Sequence, residues 1–183
     1  MNLYQMIFKR RSIRKFKYEA VPEQLLKDIL AFAGCVATLC PEISIKMEIK
    51  ENIEKDLHVK GLWKVEAPYY LVFYSEEKEG YMMNAGYVLE PVLLYMTGKG
   101  LGTCYLGSTR IPGAEPAGMK VAIAVAFGYP KSLLYRDPAT AKRLPTQELC
   151  VLKDEIGETP KNTIKAVRMA PSARKTKPWR FIV

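Results

Sequence analysis

Residues 80–107 read GYMMNAGYVLEPVLLYMTGKGLGTCYLG, and this stretch decides the fold. From Gly80 to Thr97 it is long and apolar, interrupted only by Glu90-Pro91, which predicts a buried helix kinked at the proline. Tyr81, Met82, Met83, Val88, Leu89, Val92, Leu93, Leu94 and Tyr95 cover more than one face of it. A helix apolar nearly all round must be covered on several sides, and 183 residues offer limited interior, so a tight homodimer is expected. Lys99-Gly100-Leu101-Gly102 ends the helix, and Thr103 to Leu106 follows as a strand.

Outward from that unit the pattern alternates between helix and strand. Upstream, Leu3, Tyr4, Ile7 and Phe8 make one helical stripe between Asn2 and Arg10. A second helix starts at Val21-Pro22-Glu23, continues one face through Leu25, Leu26, Ile29, Leu30 and Ala33, and is expected to stop at Gly34. Pro41 to Lys50 alternates apolar and polar residues, the period of a half-exposed strand. Tyr69 to Tyr74 is a β-branched and aromatic run suited to an inner strand. Downstream come a strand over Val121 to Phe127, an irregular surface segment from Asp137 to Lys153, a helix from about Thr159 to Ala170, and a strand over Trp179 to Val183. No Pro/Gly/Ser linker divides this order. One domain over residues 1–183 is expected, an α+β sandwich with a central mixed or antiparallel sheet flanked by helices. Ile29 to Ile49 and Ile164 to Val183 share a faint echo: helix, proline-containing turn, strand.

Composition removes several function classes. No charged, apolar, small-residue leader opens the sequence, and the longest uninterrupted apolar run, Val121 to Phe127, is far shorter than the roughly 20 residues that span a bilayer. The expectation is a cytoplasmic globular protein with no membrane partner. Four cysteines without a C-x-x-C pair fit neither a zinc ribbon nor a disulfide scaffold, and the single histidine, His58, leaves no imidazole pair for a metal, so none is expected. His58 sits among Glu54, Lys55, Asp56 and Lys60 and is expected at the surface. The net charge of +9 is concentrated. Lys9 to Lys17 holds six basic residues and Lys161 to Arg180 seven, with no acid in either, while the other 154 residues carry 15 basic against 19 acidic. A nucleic-acid binder would more often spread its charge over a face, so no nucleic acid is expected. Two compact clusters suit a small, highly charged anion such as a phosphate; a solvated basic helix end is the plainer reading of the same residues.

Three stretches carry the chemistry. Arg10-Arg11-Ser12-Ile13-Arg14-Lys15-Phe16 closes the first helix; Gly100 to Ser108 is a glycine-spaced passage from helix to strand; Ala170-Pro171-Ser172-Ala173-Arg174-Lys175-Thr176-Lys177-Pro178-Trp179-Arg180-Phe181 is a proline-stiffened serine turn. Guanidinium groups fork onto phosphate oxygens, a serine hydroxyl can complete the cradle, and glycines let backbone N–H groups approach a planar ligand.

Taken together these stretches resemble the FMN-dependent nitroreductase family, which opens with R-R-S-x-R-x-F and carries G-L-G-T and A-P-S-x-x-N-x-Q-P-W-x-F. The likeness is to a divergent branch of that family in which the A-P-S…P-W motif lies late. It extends through Ala67-Pro68, Phe127-Gly128-Tyr129-Pro130 and Lys142-Arg143-Leu144-Pro145. The resemblance implies FMN at the interface of a homodimer, NADH or NADPH as reductant, and a small electron-poor acceptor such as a nitroaromatic or quinone, served in a ping-pong sequence. It implies that Arg10, Ser12 and Arg143 hold the phosphate with Arg11 beside them, and that Arg14 lies toward the ribityl chain or pyrimidine end. Backbone groups of Tyr105, Leu106 and Gly107 would meet the isoalloxazine edge, and Pro171, Ser172 and Ala173 would reach the ring from the partner subunit. No protein side chain is assigned as a catalytic acid, because flavin N5 carries the chemistry.

Two features depart from the family pattern. Lys175 and Lys177 stand where the family has Asn and Gln, and an ammonium donates but cannot accept a hydrogen bond. Lys175 is expected either at the N1–C2 edge of the ring or in solvent, and Lys177 in solvent. Family members usually continue past the P-W-x-F strand, whereas this sequence stops at Val183, which would leave one side of the active site more open. A flavin-binding sensor or storage protein without efficient turnover is the alternative reading. Cys104 is expected as a small buried strand residue rather than a redox thiol.

Overall fold

The computed structural model describes residues 2–61, 65–107, 109–113, 115–151, 157–172 and 179–182. The helices are α1 (Leu3–Lys9), α2 (Glu23–Cys35), α3 (Tyr81–Gly98), α4 (Thr146–Leu149) and α5 (Glu158–Arg168). The strands are β1 (Ile45–Glu51), β2 (Lys60–Gly61), β3 (Tyr69–Ser75), β4 (Gly102–Leu106), β5 (Thr109–Arg110), β6 (Lys120–Gly128), β7 (Cys150–Val151) and β8 (Phe181–Ile182). A four-stranded antiparallel sheet in the order β1-β3-β6-β4 forms the centre. Two ribbons stand apart from it, β2 with β5 and β7 with β8.

Strand β3 lies inside the sheet and is buried along its whole length. Its alternating side chains feed two separate cores. Tyr69, Leu71 and Phe73 join Ile29 and Ala33 of α2 and Val88, Leu89, Val92, Leu93 and Met96 of α3. Tyr70, Val72 and Tyr74 point the other way, where Ile13, Phe16, Val59, Val65 and Ile111 pack on them. The expected antiparallel α+β sandwich is therefore observed, with a distinction between its faces. Helices cover one face, and residues outside the central sheet and the helices, Ile13, Phe16, Val59, Val65, Ala67 and Ile111, cover the other.

The elements differ from the sequence expectation mainly at their ends. Helix α2 runs one residue past Gly34 and stops where Val36 turns extended. The segment 137–153, expected to be irregular, contains the short helix α4 and strand β7. The two-residue strands β2 and β5 were below the reach of periodicity, while β8 lies within the strand expected over Trp179 to Val183. Helix α3 carries Pro91 inside it as expected and buries nine residues, yet Met82, Met83 and Tyr87 are about half exposed or more within this single chain. Asn84, fully buried, fixes the adjoining turn by accepting from the backbone N–H groups of Leu39 and Cys40 at 2.9 and 3.2 Å.

The Gly-Leu-Gly of residues 100–102 has two separate physical jobs. Gly100, at φ +90, takes the left-handed conformation that closes α3, with Leu101 N–H donating to the Met96 carbonyl at 3.0 Å. Gly102 begins β4 and lies directly under the Ile13 side chain. A Cβ at Gly102 would stand 2.8–2.9 Å from three Ile13 carbons, closer than any real Cβ contact. That close approach lets the chain around Ile13 cross the edge of the sheet, where Ile13 N–H donates to the Thr103 carbonyl at 2.9 Å.

Replacing Gly102 with Ala should therefore cost about 1–3 kcal/mol, the usual range for an overpacked core. At this chain length that lowers Tm by about 2–4 °C per kcal/mol. Truncating Ile13 to Ala opens the space the new methyl needs. In a double-mutant cycle followed by thermal unfolding, G102A should cost clearly less in the I13A background than in the native chain.

Candidate functional site

Of the six basic residues from Lys9 to Lys17 only Arg10 is buried; the other five are exposed, as a solvated helix end would have them, but the backbone that carries them is fixed. It is stitched on both sides. Ser12 forms a parallel bridge with Thr103 of β4, Phe16 forms an antiparallel bridge with Pro130, and Lys131 N–H donates to the Lys15 carbonyl at 3.0 Å. Helix α1 begins at Asn2, whose side-chain oxygen accepts from Tyr4 N–H, and ends at Arg10, whose own N–H closes on the Met6 carbonyl. Arg10 leaves the helix with its side chain turned inward, and only 4% of its surface remains exposed.

A buried guanidinium needs partners, and Arg10 lacks them. Its Nε lies 3.8 Å from Glu90 Oε1, too long for a hydrogen bond, and its carbon centre stands 5.7 Å from the Tyr105 ring. Both Nε and Nη2 of Arg10 are buried without a hydrogen-bond partner, and so is Nε of Arg143. Leaving a buried polar donor unpaired costs about 1–3 kcal/mol, and more when it is charged. Among the described residues these three N–H groups are the natural place for an anion.

More positive charge surrounds the same spot. Arg136 Nε donates to the Phe8 carbonyl at 2.8 Å, and its Nη2 donates to the carbonyls of Ile7 at 2.7 Å and Met169 at 3.3 Å. Arg143 Nη2 donates to that same Met169 carbonyl at 3.1 Å. Arg168 Nε donates to the Leu144 carbonyl at 2.6 Å. Burial, and then the charges of Arg143 and Arg10, push Arg136 down to about 10. Burial, then Arg168 and Arg10, lowers Arg143. Burial is the larger part of both depressions, and the neighbouring arginine charges add to it. The ends of α1 and α5, each offering helix-terminal carbonyls, are what hold the cluster together.

A cavity of about 270 Å³ opens beside the cluster, between α1, α3 and α5. Arg10, Arg136 and Glu90 line one side of it, and Ile7, Pro91, Leu94, Val167, Met169 and Ala170 give it apolar walls. Tyr105 connects the cavity to the sheet edge: its hydroxyl donates to Glu90 Oε2 at 3.0 Å. Burial first, then the neighbouring carboxylate, holds that hydroxyl well above the usual tyrosine pKa.

The expected site residues therefore divide. Arg143 lies close enough to feel the charge of Arg10, Tyr105 joins Arg10 through its side chain, and Ala170 brings the start of the Ala-Pro-Ser turn to the cavity wall of its own chain. Pro171 and Ser172, half-buried, follow directly. Ser12 sits half-buried on the sheet edge, hydrogen-bonded to Cys104. Leu106 is buried in β4, and Gly107 is exposed just past it, with open space where a side chain would be. Arg11 and Arg14 are exposed; Arg11 reaches Ser132 Oγ at 3.5 Å. Ala173, Lys175 and Lys177 lie outside the described residues. Cys104 is buried and its thiol is pushed up by desolvation, which suits an inert strand residue; His58 is exposed. Among the described residues no acidic, cysteine and histidine cluster could hold a metal, and no helix is long and apolar enough to cross a membrane. Sequence reasoning missed Arg136, Arg168 and Glu90. For Glu90 a signal existed: it is the sole charged residue between Tyr81 and Gly98.

Arg136→Gln removes the forked contacts that tie α1 to the end of α5. Charged hydrogen bonds are worth about 1.5–3 kcal/mol each, and relief of repulsion among the arginines returns part of it, so a net loss of about 2–4 kcal/mol is expected. Urea unfolding measures it as a lower midpoint at unchanged slope. Arg136→Lys should recover little, because an ammonium cannot fork between two carbonyls.

Comparison with known proteins places this geometry. The family model described as "Putative TM nitroreductase" matches residues 2–183. A crystal structure from Thermotoga maritima, described as a putative nitroreductase, superposes with a TM-score of 0.72 at 22% identity, covering 100% of this chain and 72% of that one. A nitroreductase with bound FMN from Desulfitobacterium hafniense gives 0.57 at 14% identity, over 79% of this chain and 100% of the other. An FMN-dependent nitroreductase from Clostridium difficile gives 0.56 at 17% identity, over 75% of this chain and 93% of the other. No curated protein matches. With a family model spanning all but its first residue and the same fold in those solved structures, this chain belongs to the nitroreductase family described as "Putative TM nitroreductase".

Proposed function

We propose that the protein is an FMN-dependent oxidoreductase. The observation that carries this reading is the set of three buried guanidinium N–H groups without partners, two on Arg10 and one on Arg143. They supply the donor set that a phosphate monoester needs: planar forks, fixed by packing, in a site of reduced dielectric. Arg136 and Arg168 add positive field, Arg136 with Nε and Nη2 already holding backbone carbonyls and Arg168 with its Nε on the Leu144 carbonyl.

When bound, FMN would supply the redox chemistry, accepting two electrons from NADH or NADPH and passing them to an electron-poor acceptor such as a nitroaromatic or a quinone. The chain's own part is binding, orientation and electrostatics. Arg10, Ser12 and Arg143 would hold the phosphate, with Arg11 beside them and Arg14 toward the ribityl chain or the pyrimidine end of the ring. Strand β4 is an edge strand, so its outer backbone groups past Thr103 are the ones a flat ring could meet, at Tyr105, Leu106 and Gly107. Exposed Gly107 has nothing within 4 Å of its missing side chain, which leaves room for a planar ligand to lie close. Pro171, Ser172, Ala173 and Lys175 would bound the ring from the other side. The half-exposed stripe of Met82, Met83 and Tyr87 on α3 supports a homodimer, because large apolar side chains in one stripe favour a partner over water.

Purified protein titrated with FMN should show saturable one-to-one binding in the flavin visible band. Changing Arg10 and Arg143 to Ala together should weaken FMN by several kcal/mol, at about 1.5–3 kcal/mol per charge-assisted bond. Riboflavin, which has no phosphate, should lose little in the same variant. Equal losses for the two ligands would remove the phosphate assignment. Steady NADH or NADPH oxidation with an added quinone distinguishes an enzyme from a flavin-storing protein. Sedimentation at micromolar concentration should show a dimer; a stable monomer contradicts the proposed assembly.

A further inference from the structure

We infer that Glu90 is a built-in counter-ion of the arginine cluster: in the ligand-free chain its carboxylate stands in for the anion, and it sets how strongly the site binds one. The inference rests on the anion-site reading above and adds a residue that neither the motifs nor the family comparison assigns. Glu90 is the sole acid on α3, inside an otherwise apolar helix, and lines the cavity together with Arg10 and Arg136. An exposed helix position would tolerate any polar residue; this one faces the guanidiniums. Its charge opposes the lowering of Arg136, so it interacts with more than one arginine.

The geometry also shows why the carboxylate does not simply close the site. Glu90 Oε1 stops 3.8 Å short of Arg10 Nε, while Oε2 accepts the Tyr105 hydroxyl at 3.0 Å. Tyr105 holds the carboxylate back by that hydrogen bond, and its ring lies against the Arg10 guanidinium. Arg10 is thus neutralised at a distance, with Nε and Nη2 still unfilled. A fixed negative charge in this position does two opposite things. It lowers the cost of crowding the arginines while no ligand is present, and it repels an incoming phosphate.

Those opposite effects give a test that needs no turnover. Glu90→Gln keeps the shape and an oxygen that can still accept from Tyr105, and removes only the charge. In low-salt, phosphate-free buffer its Tm should fall below wild type by a few degrees. Its affinity for inorganic phosphate, measured by calorimetry, should nevertheless rise about threefold to tenfold, a gain that shrinks with added salt because Glu90 is partly exposed. Saturating phosphate should then close the Tm gap. Glu90→Asp, which keeps the charge, should bind phosphate no tighter than wild type. If E90Q binds phosphate equally or more weakly while Arg10→Ala still abolishes wild-type binding, the counter-ion role is overturned and the anion site stands. If phosphate binding is the same in wild type and R10A, the anion site itself is wrong, and this inference falls with it.

Discussion

The close approach of Ile13 to Gly102 is the contact on which the rest of the site depends. A side chain at residue 102 would stand inside the Ile13 side chain, so the bare glycine is what allows residues 12–13 to lie across the edge of β4. Once they lie there, Ile13 and Phe16 enter the second core beneath the sheet, and the chain cannot swing away without exposing both. Arg10, three residues earlier, is then delivered to the junction of α1, α3 and α5 rather than to solvent. Local chemistry agrees at each step. Gly100 closes α3, Gly102 admits Ile13, and Thr103 offers the carbonyl that fixes the crossing. A motif that reads in sequence as a loop for a ligand is, first, a seat for another part of the protein.

What that seat delivers is a concentration of positive charge that the fold holds at a cost. Four guanidiniums meet near the ends of α1 and α5; backbone carbonyls take up the Nε and Nη2 donors of Arg136 and the Nε of Arg168. Arg10 and Arg143 keep buried donors open. The division is a physical one. Arginines that bond to helix-terminal carbonyls act as clips and supply field, and those left with unpaired N–H groups are the ones an anion can reach. Glu90, the sole charged residue of α3, faces Arg10 and Arg136 in this set.

Much of this was legible in the sequence. Helical and strand periods located α1, α2, β1, β3, α3, β4, β6 and α5 to within a few residues, because each has a buried face long enough to impose its period. The basic stretch at Lys9 to Lys17 was visible as charge, but charge alone could not say whether Arg10 pointed in or out; burial is decided by Gly102 and Ile13, some ninety residues apart in sequence. Arg136 was illegible for a similar reason. It stands in an irregular segment between Tyr135 and Asp137, and its role arises from the carbonyls of Ile7, Phe8 and Met169, which no local pattern encodes. The ribbon β2–β5 and strand β7 have too few residues to show a period at all, whereas β8 falls within the strand expected over Trp179 to Val183.

The arrangement of the Ala-Pro-Ser turn bears on how the site is shared between chains. The resemblance assigns that turn to a partner subunit, reaching the ring from the other side. Here Met169 is held by Arg136 and Arg143 of the same chain, and Ala170 lines the same chain's arginine cavity. The turn therefore starts beside its own Arg10, anchored by Arg136 and by Arg143, one of the two arginines proposed for the phosphate. Helix α5, which carries it, packs on α1 and ends in that cluster, so binding an anion and holding the turn in place draw on the same groups. An anion between Arg10 and Arg143 would relieve the repulsion that works against the Met169 contacts. A phosphate bound as proposed would thus favour the turn within one chain, and the apolar stripe of Met82, Met83 and Tyr87 on α3 is left as the surface on which a second copy would act.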